Sequence, residues 1–185
     1  MVFSGNGSAV TDLALPLDGP LVATGSYTGT DNFIVKLVAP TDTFGTLLFN
    51  EIGTYSGDDL EPEMKAGSYK LTVENASGPW TVTLRQPTPT DSATVLPATI
   101  QGQGSKVIPI RVPAALQPTV TGIFQGDGNF IVKLVGYGDS KGFSNLLFNE
   151  IGAYQGQKLV TGLQARSYYL LSVYSNGNRS LNFSP

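Results

Sequence analysis

Two patterns in the chain bring polar groups close enough to do chemistry. Asp58, Asp59, Glu61 and Glu63 put four carboxylates on one short segment, a density of oxygen donors that suits Ca²⁺. Asn50-Glu51 interrupts the apolar run at 47–53, and the same seven residues return at 146–152 with Asn149-Glu150. A ligand or ion site used twice would look like this. So would a strand whose Asn satisfies turn backbone and whose Glu51 pairs with a lysine such as Lys36 across a ladder, an interaction worth ~0.2–1 kcal/mol. The structural reading is the stronger for the Asn-Glu pair. The acidic cluster aligns with Gln157, Lys158, Val160 and Gly162 in the second half and lacks EF-hand spacing. It reads as a solvated loop, and no metal site is expected.

The absences narrow the chemistry further. The chain has no His and no Cys, which removes the usual zinc sites, the Ser-His-Asp triad and a thiol nucleophile. Eleven basic against fourteen acidic residues, a net charge of −3, leave no basic field for nucleic acid. There is no Gly-x-Ser-x-Gly elbow and no phosphate-cradling glycine loop. Two carboxylates could run a glycosidase, but no spacing selects a pair. The expectation is a protein without catalytic residues or cofactor.

The elements that would hold any site follow from composition. Charged residues are 14% of 185, against about 25% in an average domain. With 22 Gly, 12 Pro and 41% hydrophobic residues, this is a folded, turn-rich, all-β composition. The strongest signal is internal repetition. Residues 32–38 (Asn-Phe-Ile-Val-Lys-Leu-Val) recur at 129–135, an offset of 97, and residues 47–53 recur at an offset of 99. The difference falls between Val38 and Phe44, where a loop is expected. Two homologous domains are predicted, at 1–86 and 98–185, joined by a Pro/Thr-rich linker at 87–97. Alternation places Phe33, Val35, Leu37, Leu71, Val73 and Trp80 inside the first domain. Phe130, Val132, Leu134, Leu171 and Val173 take that place in the second. Seven or eight short strands in ~90 residues fit an antiparallel β-sandwich.

The pattern Gly-x-Gly-Ser, Asn-Phe-x-Val, Leu-Leu-Phe-Asn-x-Ile-Gly-x-Tyr-x-Gly, Tyr-x-Leu-x-Val and Trp-x-Val resembles the pre-peptidase C-terminal, jelly-roll-like modules of secreted and surface bacterial proteins. The resemblance covers nearly all of both repeats and implies a jelly-roll-like sandwich in an accessory role. The acidic pair that such modules often carry is replaced here by Thr30-Asp31-Asn32 and Asp127-Gly128-Asn129.

One strand face carries the functional expectation. Opposite the inward Phe33, Val35 and Leu37 lie Ile34, Lys36 and Val38, and Ile131, Lys133 and Val135 repeat them. A water-facing surface of an antiparallel sheet should be polar, so this face is expected to be covered, in at least one copy by another chain. That implies a non-enzymatic structural or interaction protein of an outer surface, oligomeric or part of a lattice, on a cell or as a capsid-decoration component of a virion. The start, Met1-Val2-Phe3, shows no secretory leader pattern, and no apolar run is long enough to span a membrane. The alternative is a carbohydrate-binding accessory module. Of the aromatic candidates Tyr27, Phe44, Tyr55 and Trp80, and Phe124, Tyr137, Phe143 and Tyr154, only Phe44, Tyr137 and Phe143 are expected in loops, where they could meet glycans. Four Asn-x-Ser sequons, at Asn6, Asn75, Asn178 and Asn182, are of the frequency chance gives a Ser-rich chain.

Overall fold

The computed structural model describes residues 1–89 and 92–185. The chain forms two compact units, Met1–Pro87 and Thr88–Pro185. In the first, eight strands run in chain order: β1 (Val2–Asn6), β2 (Ala9–Leu15), β3 (Gly19–Tyr27), β4 (Asn32–Val38), β5 (Thr46–Ile52), β6 (Tyr55–Met64), β7 (Gly67–Glu74) and β8 (Pro79–Arg85). They pair into two sheets, β1-β8-β3-β6 and β2-β7-β4-β5. Strand 1 thus pairs with 8, 2 with 7, 3 with 6 and 4 with 5, all antiparallel. This is one long hairpin rolled into two layers, the jelly-roll arrangement.

The second unit opens with a short strand, β9 (Thr94–Val95), and then repeats the plan. Its strands are β10 (Ala98–Gln103), β11 (Lys106–Val112), β12 (Thr119–Gln125), β13 (Asn129–Tyr137), β14 (Ser144–Ile151), β15 (Tyr154–Leu159), β16 (Ser167–Ser175) and β17 (Asn178–Ser184). The sheets are β10-β17-β12-β15 and β14-β13-β16-β11-β9. The order matches the first unit strand for strand, with β9 added beside β11. The fold is therefore all-β, with antiparallel jelly-roll sandwiches. A 3-10 turn, Gly138–Ser140, follows β13.

Alternating apolar residues from both sheets meet in each core. Phe33, Val35, Leu37, Leu71, Val73 and Trp80 are buried in the first unit, and Phe130, Val132, Leu134, Leu171 and Val173 in the second. An aromatic stack runs through each. Tyr27, Phe33 and Phe49 stack at 5.0 and 5.8 Å, and Phe124, Phe130 and Phe148 at 4.9 and 5.7 Å. Glycine makes room for the last ring. A Cβ on Gly25 would lie 2.8 Å from the Phe49 ring, and one on Gly122 2.7 Å from Phe148.

Two departures from simple alternation shape the surface. The β4–β5 register shifts between Val35 and Lys36, which face Phe49 and Leu47, so Leu48 is the extra residue of a bulge. The same bulge at Leu147 interrupts β13–β14. Two consecutive residues, Leu48-Phe49 or Leu147-Phe148, are buried as a result. The second departure corrects the linker. Residues 94–96 belong to the second unit, because Thr94 and Val95 pair in parallel with Ile110 and Arg111. Leu96 is buried beside Ile110 and Val112, and its N–H donates to the Arg111 carbonyl at 3.0 Å. An apolar anchor within a Pro/Thr-rich stretch turns linker composition into an edge strand. The Thr90 and Asp91 part of the expected linker lies outside the described residues.

Candidate interaction surfaces

The outer face of β2-β7-β4-β5 carries Ile34, Lys36 and Val38, all half-buried. Lys36 pairs with Glu74, at 3.0 and 3.1 Å to its two carboxylate oxygens, and not with Glu51. The reason is register. Glu74 sits opposite Ile34 on β7, on the outer face, while Glu51 sits opposite Phe33 on the inner one. Both partners are part-exposed, so the pair adds well under ~1 kcal/mol. Its aliphatic stems lie beside Ile34 and supply part of the expected cover.

The bulge gives the adjoining edge strand a face that alternation alone does not foresee. Leu47, Asn50 and Ile52 all point outward beside β4, with Leu47 46% and Ile52 78% exposed. Their copies are exposed to the same degree, Leu146 at 44% and Ile151 at 82%. Within the second unit Ile131 is half-buried and Lys133 exposed. Val135 departs from its expected role, being only 5% exposed. It pairs with Leu170, a buried residue on the outer face of β16. The cover at this position is therefore supplied within the chain, and Val135 is not available to a partner chain.

The loop aromatics do not form one array. Phe44 is 84% exposed between β4 and β5. Tyr137 is 2% exposed, the last residue of β13, edge-on to Tyr168 at 6.2 Å. Turn-rich composition after Val135 suggests a loop, but β13 continues by pairing Gly136 and Tyr137 with Tyr169 and Tyr168 of β16. Phe143 is half-buried, edge-on to the core Tyr169 at 5.1 Å. Tyr137 is thus withdrawn from glycan contact, and Phe143 offers only part of its ring. Tyr27, Trp80 and Phe124 are buried, and Tyr55 and Tyr154 pack against the cores.

The acidic residues Asp58, Asp59, Glu61 and Glu63 lie on β6 and not on a loop. Asp59 and Glu61, two residues apart, share one face of the strand, and Asp58 lies on the other. Asp58 accepts from the Thr24 hydroxyl at 2.9 Å on the neighbouring strand. Among the described residues no three acidic, His or Cys side chains are placed to hold a metal ion. With Pro62 they make β6 a guarded edge. Beyond it, Lys65 donates to Asp18 at 3.0 Å, and this hydrogen bond and the charge of Asp18 hold the Lys65 ammonium above the ordinary lysine pKa.

A further surface escapes a reading built on aromatics and charges. The outer face of β10-β17-β12-β15 presents amides and hydroxyls in rows. Gln103, Asn178 and Gln125 form one row, and Gln101, Ser180, Ile123 and Gln155 the next. Thr99, Asn182, Thr121 and Gln157 form a third. The sequence signal is period-two polarity on four segments, legible only once their pairing is known.

No protein family and no curated protein matches the chain. Among solved structures, the CUB1-EGF-CUB2 domain of human MASP-1/3 aligns over the whole of both chains at 8% identity with a TM-score of 0.30. Among the described residues no helix is long and apolar enough to cross a membrane.

Proposed function

We propose that this chain is a non-enzymatic interaction protein of an outer surface, of a cell or of a virus particle, which attaches through the β4–β5 face and its β13–β14 copy. One observation carries the reading. The two seven-residue segments that are identical between the repeats are neighbouring strands, β4 with β5 and β13 with β14. Core packing accounts for Phe33, Val35, Leu37, Leu48 and Phe49. It does not account for Ile52 and Ile151, which are 78% and 82% exposed. Elsewhere the repeats diverge freely, as at the acidic residues of β6. Identity retained in exposed apolar residues fits a partner that meets both copies, and two linked weak contacts raise avidity without any new contact. Low charge and the resemblance to accessory modules of bacterial surface proteins support the same setting.

Ile34→Asp and Ile131→Asp, made one at a time, test the face. Light scattering and attachment to the particle or envelope are the readouts. The expected result is lower mass or weaker attachment with each change in a chain that stays folded, with a lower melting temperature for Ile34→Asp because its carboxylate would face Glu74. Unaltered mass and attachment in both would remove the reading.

A further inference from the structure

The outer face of β10-β17-β12-β15 carries no charged side chain among its described outward residues, unlike the other sheet of the same unit, which presents Arg111 and Lys133. At one end of this face lies an open cleft of about 490 Å³ lined by Gln101, Gly102, Gln103, Ile123, Gln125, Asn178, Arg179 and Ser180. We infer that this cleft is a binding site for a neutral, polyhydroxylated ligand, an uncharged oligosaccharide. The inference goes beyond the proposed attachment face and does not depend on it, since the two surfaces lie on different sheets.

The side chains of this face suit such a ligand chemically. A Gln or Asn amide holds two donors and an acceptor in one plane, which suits sugar hydroxyls that both give and take protons. Three such amides, Gln103, Asn178 and Gln125, stand side by side on adjacent strands, spaced by the ~4.8 Å strand separation. The third row is engaged internally. Thr99 donates to Asn182 at 2.9 Å and Gln157 to Thr121 at 3.1 Å. Among the described residues the side chains of Gln101, Gln103, Gln125 and Asn178 make no such bond, and all four are exposed. Ile123, 38% exposed in the next row, offers an apolar surface for the C–H face of a sugar ring. The one cation in the lining, Arg179, is 5% exposed beneath the amide row. Its Nη1 donates to the Gly104 carbonyl, so it lies under the face and does not project from it.

The test is a titration of the full chain, followed by NMR of its backbone and side-chain amides, with cello-, laminari-, manno- and xylo-hexaose, and with oligogalacturonate as the charged comparator. The expected result is that at least one neutral hexamer shifts the amide signals of Gln101, Gln103, Gln125 and Asn178. Asn178→Ala combined with Gln103→Ala should weaken that binding about tenfold or more at an unchanged melting temperature. Gln125→Ala alone serves if the double variant unfolds. Ile52→Asp should leave the shifts intact, which separates this site from the attachment face. The inference is overturned if no neutral hexamer shifts these signals, if the shifts map to Phe44, or if oligogalacturonate alone binds.

Discussion

Trp80 in the first unit and Arg179 in the second occupy the same place in the fold, and both donate to the same kind of acceptor. The Trp80 indole gives its Nε1–H to the Gly7 carbonyl at 2.8 Å, and Arg179 gives Nη1–H to the Gly104 carbonyl. Gly7 and Gly104 turn the chain from β1 to β2 and from β10 to β11 with φ of +79° and +68°. In each unit a glycine on the adjoining strand leaves room above the side chain. A Cβ on Gly5 would lie 2.5 Å from the indole, and one on Gly102 3.3 Å from the guanidinium. A half-buried turn carbonyl needs a donor that reaches it from the core, and residues as unlike as Trp and Arg satisfy that need. The comparison separates two kinds of repetition. At Trp80 and Arg179 the role is kept while the residue changes. The exposed faces of β5 and β14 keep the residues themselves with no packing role to require it.

The largest effects should come from the shared core. Phe33→Ala and Phe130→Ala each remove a fully buried ring at the centre of an aromatic stack. Each should lower the stability of its unit by ~3–5 kcal/mol in denaturant unfolding of the full chain. A loss under about 1 kcal/mol in either would mean that the two cores are not equivalent.

Exchanging the two donors sharpens the contrast. Trp80→Arg places a cation among apolar neighbours and should cost more than ~2 kcal/mol. Arg179→Trp removes a buried charge and keeps a donor for Gly104, so it should be neutral or stabilising by about 1 kcal/mol. Equal losses from the two changes would show that each unit is fitted to its own residue and not merely to a donor.

The smallest effect concerns an ion pair of the first unit. The Lys65 pKa is raised by its hydrogen bond to Asp18 and by that charge. Its contribution is complete below the unfolded lysine pKa and disappears as pH rises through the raised folded value. Lys65→Met should therefore leave melting unchanged in salt at neutral pH, since Lys65 is exposed and screened. A marked loss there would show that the pair matters beyond its charge.

Much of this architecture can be read from residue order, because period-two alternation on β4, β7 and β8 and the repeat offsets are local patterns. Three features are not local. The bulge at Leu48 breaks alternation only relative to the partner strand, so the outward turn of Leu47 and Ile52 requires the pairing. Tyr137 stands between Gly136 and the turn-forming Gly138-Asp139-Ser140, yet pairing with Tyr168 continues the strand. Leu96 sits in a stretch with linker composition, and only its burial beside Ile110 assigns it to a fold. The candidate surfaces divide in the same way. Ile34 and Lys36 stand out from their own strand, whereas the row Gln103, Asn178, Gln125 draws on three strands and exists only once they pair.

The duplicated exposed face is the central claim, and sedimentation velocity across a concentration series tests it most directly. Wild type is compared with Ile52→Asp, Ile151→Asp and the double variant, and each is assayed for attachment to the particle or envelope. Both isoleucines lie at strand ends with their side chains in water, so folding should be unaffected. The account predicts that each single change weakens association or attachment and that the double change abolishes it, at one melting temperature for all four proteins. Wild type and double variant that sediment and attach identically would contradict it.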